Sequence, residues 1–230
     1  RMFWREDKRP EQAFRVPDDV CDLVFRLSGK RIDVDHAHAL AEALREHLDD
    51  DTCARIGVHG VRMASSGNGW NRPEGAGAEL PLSRRARLDI RVPRELVDTV
   101  LRLSNSRLAL GSGEIEVGGG TVRPLSSHGT LHARAISCDR QQSEDEFLRQ
   151  VAAELQAMQI DVSRMLCGRS AEIRIAGGSL FTRALMIADL KPRESVRLQQ
   201  LGIGGGRLLG CGLFVPHKEI DAVYEPQEQD

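Results

Sequence analysis

The chain predicts an α+β fold made of two tandem ferredoxin-like (RRM-like) βαββαβ units, and three observations carry that prediction. Apolar residues alternate with period two in some stretches and recur every three to four in others, which separates strands from helices. Those stretches follow the order β-α-β-β-α-β and then repeat it, although the two halves share no evident sequence. The 230 residues suffice for two cores of roughly 100 residues each. The units are placed at 1–126 and 127–230.

In the first unit, Asp19 to Gly29 alternates with Val20, Leu23, Phe25 and Leu27 as its apolar positions. Asp35 to Leu48 reads as a helix capped by Asp35, with Ala37, Leu40, Ala41, Leu44 and Leu48 in one stripe. Ala54 to Met63 and Arg85 to Pro93 alternate again. Arg94 to Leu103 is helical, with Leu96, Val97, Val100 and Leu101 inward, and Gly113 to Leu125 closes the unit as a strand. The connector Ala64 to Ser83 is long for a structureless loop, which makes it functional or disordered.

In the second unit, Thr130 to Ser137 is a strand, and Ser143 with Glu146 forms a capping box ahead of a helix reaching Met158. Phe147, Val151, Leu155 and Met158 share one face of it. Ala171 to Ala176 and Leu180 to Leu190 form a hairpin around Gly177, Gly178 and Ser179. A short helix, Glu194 to Leu201, enters a glycine-rich loop, and Arg207 to Pro216 is the last strand.

Composition narrows the function classes. No apolar run approaches the ~20 residues of a membrane helix, and the N-terminal stretch lacks a secretory pattern, so a cytoplasmic location without membrane contact is expected. The five scattered cysteines contain no Cys-x-x-Cys pair, so neither a zinc site nor a disulfide framework is suggested. Net charge is −2, yet 28 of the 32 basic residues are arginine, the side chain whose planar fork suits phosphate. Aromatics make up 4%, too few for a surface built on stacked bases.

The stretch Leu201 to Lys218 holds six glycines, from Gly202 to Gly212. Neither G-x-G-x-x-G nor Gly-Lys-Ser/Thr occurs there, and the loop follows a helix instead of preceding one, so nucleotide folds are excluded. Gly202 reads as a helix C-cap. Gly204, Gly205 and Gly206 beside Arg207 read as a phosphate cradle of backbone amides. Gly210 and Gly212, two apart, clear one face of the expected last strand for an approaching backbone.

These same residues, Ser195 to Lys218, resemble the C-terminal glycine-rich signature of the CRISPR repeat-processing endoribonucleases of the RAMP superfamily. Val34 to Leu44 is similar to that family's N-terminal motif, a histidine opening the first helix, and Leu82 to Pro93 to its mid-domain pattern; the combination is most similar to the Myxan subtype. The resemblance spans nearly the whole chain and implies the tandem fold already read from periodicity. It implies metal-independent cleavage of precursor CRISPR RNA within each repeat, with no cofactor. The 2′-hydroxyl attacks the adjacent phosphorus, leaving a 2′,3′-cyclic phosphate and a 5′-hydroxyl. Repeat RNA is the implied partner, and other subunits of an interference complex are candidate partners if the product is retained.

Among the seven histidines, His36 matches the motif, and its place at a helix N-terminus favours the neutral, basic imidazole. His38 lies about 200° around that helix, where relatives often carry an aromatic residue; it and Lys218 are candidates for catalytic support. No third ligand accompanies His36 and His38, so no metal is assigned. His47 reads as a dipole partner, His59 as structural, and His128 and His132 are unassigned. Arg85, Arg87 and Arg91 share a strand phase with Asp89 and form an expected RNA-binding stripe, joined by Gly204, Gly205, Gly206 and Arg207. The competing reading is a non-catalytic subunit that holds guide RNA on the same fold.

Overall fold

The structure, a computed structural model, describes residues 14–63, 78–111 and 113–217. It opens with β1 (Val20–Gly29) and β2 (Arg31–Asp33), then α1 (Ala37–His47), α2 (Asp50–Arg55), β3 (Gly57–Arg62), β4 (Glu79–Pro81) and β5 (Arg87–Pro93). A 3-10 turn at Arg94–Leu96 leads into α3 (Val97–Leu101), followed by β6 (Arg107–Leu110) and β7 (Gly113–Pro124). These make an antiparallel sheet in the order β3-β5-β1-β7-β6, while β2 and β4 pair separately. The second half runs β8 (Leu131–Ser137), α4 (Glu144–Ala157), β9 (Arg164–Ile175), β10 (Gly178–Ala188), α5 (Pro192–Leu201) and β11 (Phe214–Pro216). Its sheet has the order β11-β8-β10-β9. Taking the principal strands of each unit in sequence, both sheets follow the ferredoxin order 4-1-3-2, and the fold is α+β with two such units in tandem.

The alternation of β1 explains how its sheet sits. Cys21, Leu23, Phe25 and Leu27 point to the helix side, where Leu40 and Leu44 of α1 and Val100 of α3 complete the first core. The opposite face is partly enclosed, because the second unit reaches it: Asp22 of β1 and Asp89 and Arg91 of β5 are buried, whereas Arg26 and Ser28 of β1 are exposed. In the second unit, Phe147, Val151 and Leu155 of α4 lie on Leu131, Ala133, Leu185 and Ile187. Ser143 and Glu146 form the expected capping box.

Several expectations need correction. Asp35 does not cap α1; His36 occupies the N-cap with no side-chain cap bond, and Asp35 pairs instead with Arg174 of β9 at 2.8 Å. Asp49 caps a further short helix, α2, accepting from the Thr52 amide at 2.7 Å. The expected strand Arg207 to Pro216 is a 3-10 turn and a tight turn, with only Phe214–Pro216 extended. Left-handed backbone at Gly206, Gly210 and Gly212 breaks the strand geometry, so Gly210 and Gly212 do not line a strand face. Of the connector 64–83, residues 64–77 lie outside the described residues, as does the tail from Lys218 onward.

Candidate active site

His36 is positioned by its helix. The N-cap backbone turns the imidazole back so that Nδ1 lies 2.9 Å from the Asp33 carbonyl oxygen. A carbonyl only accepts, so Nδ1 carries the proton. The other nitrogen, Nε2, accepts from the Val61 amide at 3.3 Å. Both contacts agree on one tautomer, with the lone pair of the neutral ring on Nε2. The side chain is 8% exposed.

Val61 meets His36 because β3 is bulged. Pairing with β5 slips between Val58 and Val61, and Gly60 takes a left-handed φ of 80° that a side chain would strain. The bulge turns the His59 carbonyl outward, where it accepts from Nη2 of Arg134 on β8. A Cβ placed at Gly60 would lie 3.7 Å from both Arg134 Nη2 and His36 Nε2. The imidazole of the first unit and the guanidinium of the second therefore face one small space above a bare glycine. Arg134 is exposed there.

Behind the bulge lies a buried charge network. Register sets Asp22 of β1 opposite both Arg91 of β5 and Arg123 of β7. Arg91 grips Asp22 through Nε at 2.9 Å and Nη2 at 3.2 Å, while its Nη1 donates to the Gln199 and Phe214 carbonyls at 3.0 and 2.7 Å. Arg123 bridges Asp22 at 3.2 Å and Asp89 at 2.9 Å, and Arg62 also reaches Asp89 at 3.3 Å. His59 Nε2 stands 3.4 Å from Asp22 Oδ1. Burial alone would raise the Asp22 carboxyl; His59 and Arg91 overcome it and hold Asp22 far below the usual carboxylate range. Burial depresses the His59 imidazole against the opposing pull of Asp22.

This network corrects the arginine stripe. Arg87, Asp89 and Arg91 do share a face, but Asp89 and Arg91 are buried in it and Arg91 reaches the second unit. Arg91 is 1% exposed and serves as an inter-unit tie; no phosphate can reach it in this packing. Arg87 is half-buried and folds back onto the Arg84 and Ala86 carbonyls at 3.1 and 2.8 Å. Arg85 precedes the strand, in an exposed turn.

The glycine-rich loop is mostly occupied with itself. The amide of Gly202 donates to Leu198, Ile203 to Gly212, Leu209 and Cys211 to Gly206, and Gly212 to Ala135. Gly204 donates to Glu154 at 3.2 Å. A Cβ at Gly212 would collide with the Ile203 carbonyl, so glycine here permits backbone to lie on backbone within the protein. The loop also carries Leu208 into the first core, burial that contributes about 1.5–3 kcal/mol for such a side chain. Arg207 folds back to the Leu201 carbonyl at 2.8 Å, half-buried, and burial with Arg91 nearby lowers its pKa. Only the tip, Gly204 to Gly206, is exposed, and nothing lies within 4 Å of a Cβ built at Gly205.

The remaining candidates are dispersed. His38 sits half-buried in the first turn of α1, and Lys218 lies outside the described residues. His47 Nε2 donates to the Arg107 carbonyl at 3.3 Å, and the His128 ring accepts from the Thr130 amide at 3.1 Å. His132 and His217 stack obliquely with ring centres 6.2 Å apart. Among the described residues no group of three or more His, Cys, Asp or Glu side chains is placed to hold a metal ion. No described helix is long and apolar enough to cross a membrane. Sequence reading missed Asp22, Arg123 and Arg134, and placed Asp89 in the stripe without its partners. For Asp22 and Arg123 the signal was opposite charges on neighbouring strands; for Arg134 nothing in the sequence marked it among 28 arginines.

The structure thus has two ferredoxin-like units in tandem, with His36 held near their junction. The Cas6 family model, described as Cas6 Crispr, matches residues 21–219. The chain belongs to the Cas6 family of CRISPR-associated endonucleases. It is 29% identical over 196 residues to the CRISPR-associated endonuclease Cas6 of Myxococcus xanthus (strain DK1622), spanning 85% of this chain and 80% of that protein. Two solved structures share the fold. One, a CRISPR associated protein Cas6, has a TM-score of 0.59 at 11% identity, covering 86% of this chain and 100% of that one. The other, from a Cas6-related gene of Pyrococcus furiosus, has a TM-score of 0.59 at 10% identity, covering 85% and 97%.

Proposed function

We propose that this protein cuts precursor CRISPR RNA within each repeat, without a metal, using His36 as the base. Family membership supplies the substrate class. The observation that carries the mechanism is the single tautomer of His36, which presents an unprotonated Nε2 to the inter-unit space. The bond from Val61 is long at 3.3 Å, so an incoming 2′-hydroxyl can displace it. Nε2 then takes the hydroxyl proton, the 2′-oxygen bonds to phosphorus, and the P–O5′ bond breaks. Solvent protonates the departing 5′-oxygen. The products are a 2′,3′-cyclic phosphate and a 5′-hydroxyl. The exposed loop tip and Arg85 are the surfaces we assign to the RNA backbone, and retention of the product in an interference complex is part of the same reading.

The test is single-turnover cleavage of end-labelled repeat RNA in EDTA. Wild type leaves a cyclic-phosphate end; His36→Ala loses about 10²–10⁴ in rate and keeps its affinity. Equal rates in the two proteins overturn the assignment. The Val61 amide on Nε2 favours a second reading, a subunit that holds guide RNA without cutting it; tight binding with no cleavage by either protein selects that reading.

A further inference from the structure

We propose that Arg134 is the cation of the reacting phosphate, supplied by the second unit to the histidine of the first. The proposal rests on His36 being the base and adds what that reading lacks. As the 2′-oxygen attacks, negative charge grows on the two non-bridging oxygens of the phosphorane. A donor already aimed at them stabilises that charge without reorganising at the moment of reaction.

Arg134 meets that requirement by position. Its Nη2 and His36 Nε2 each lie 3.7 Å from the same point above Gly60. A phosphate bonded to Nη2 and its neighbouring 2′-hydroxyl bonded to Nε2 would meet beside that point, each at a hydrogen-bond length of about 2.9 Å. Gly60 adds no side chain beside the two groups, and its left-handed φ of 80° disfavours any. The guanidinium is also held: its bond to the His59 carbonyl fixes the fork against the bulge that presents the Val61 amide to His36. One three-residue segment, His59 to Val61, thus sets both reacting groups. The cation comes from β8 and the base from α1, so the site is complete only when the units are docked.

Three proteins decide it: Arg134→Ala, Arg134→Lys and His36→Ala, assayed with repeat RNA at saturating protein, alongside binding of a 2′-deoxy repeat that cannot be cut. Arg134→Ala is expected to lose about 10²–10³ in single-turnover rate, the usual effect of removing one such donor. The 2′-deoxy RNA should bind within about threefold of wild type, as expected for one phosphate contact among many. Arg134→Lys, which keeps the charge, should recover at least about tenfold of the lost rate. Thermal midpoints should stay together because the residue is exposed. Cleavage by Arg134→Ala within twofold of wild type overturns the proposal, as does a rate loss matched by the loss in 2′-deoxy affinity, or a lysine variant as slow as alanine. The two readings fail separately. A wild type that does not cut sinks both; loss in His36→Ala with retention in Arg134→Ala sinks this one alone.

Discussion

Two arginines cross between the units in opposite directions, and they are used in different ways. Arg91 leaves the first sheet, grips Asp22 and ends on the Gln199 and Phe214 carbonyls, almost fully enclosed. Arg134 leaves the second sheet and ends on one carbonyl of the β3 bulge, exposed to solvent beside His36. The difference lies in burial. Where a buried aspartate sits opposite in the register, the guanidinium becomes part of the packing. Where the guanidinium reaches a carbonyl at an exposed edge, it stays at the surface. Residue type alone separates neither role from the other.

The largest expected effect breaks the first of these. Arg91→Met should lower unfolding free energy by about 3 kcal/mol, the lower end for removing one partner of a buried pair, because Arg123 still reaches Asp22. Urea midpoints at neutral pH measure it, and a loss below about 1 kcal/mol would mean the tie is dispensable. Arg134→Ala, by contrast, should leave the midpoint within about 0.5 kcal/mol.

The glycine-rich loop offers the same contrast on a smaller scale. Gly212→Ala drives a Cβ into the Ile203 carbonyl at a left-handed φ of 70°. The expected cost is about 1–3 kcal/mol of backbone strain. Gly205→Ala meets nothing and needs no left-handed backbone, so stability should move by less than about 0.5 kcal/mol. If the tip touches RNA, that variant weakens repeat binding while its melting point holds. Equal destabilisation by both substitutions would show that the loop's base and tip are not distinct.

Much of this was legible in the sequence, for physical reasons. The period of the apolar residues located most strands and helices, because each has one face on a core. His36 was singled out by its match to the family motif and by its place at a helix start, and it holds the N-cap that was expected of Asp35. The back face of the first sheet was not legible, since Arg87, Asp89 and Arg91 alternate as a solvated face does. The register with Asp22 and Arg123 shows how those charges pair, and only the bonds from Arg91 to the Gln199 and Phe214 carbonyls reveal that another unit covers it. The loop misled for a related reason. A glycine that admits a foreign backbone and one that admits the chain's own backbone look alike until the fold is known. Arg134 depends on a bulge, and a bulge is a property of strand pairing that no single strand displays.

Each crossing arginine also has a histidine beside it, and this gives the smallest effect. Burial depresses His59, with Arg91 adding to it and Asp22 opposing. Burial depresses His132 as well, with His217 and Arg134 adding. In both cases the unfolded chain binds the proton more readily than the folded one. Stability is therefore full above the unfolded value of about 6.5 and falls as pH drops below it. Each group contributes a slope of at most about 1.4 kcal/mol per pH unit. Asp22 acts later and in the same direction: its folded pKa is depressed, so its contribution is present above about pH 4 and drains below it. His59→Gln should flatten the slope of stability between pH 5 and 6.5, and His132→Gln should flatten it less, because its ring is only half-buried. Urea midpoints across that range, compared with wild type, provide the reading. A steeper dependence on His132 than on His59 would reverse the comparison and place the stronger proton-linked tie on the Arg134 side.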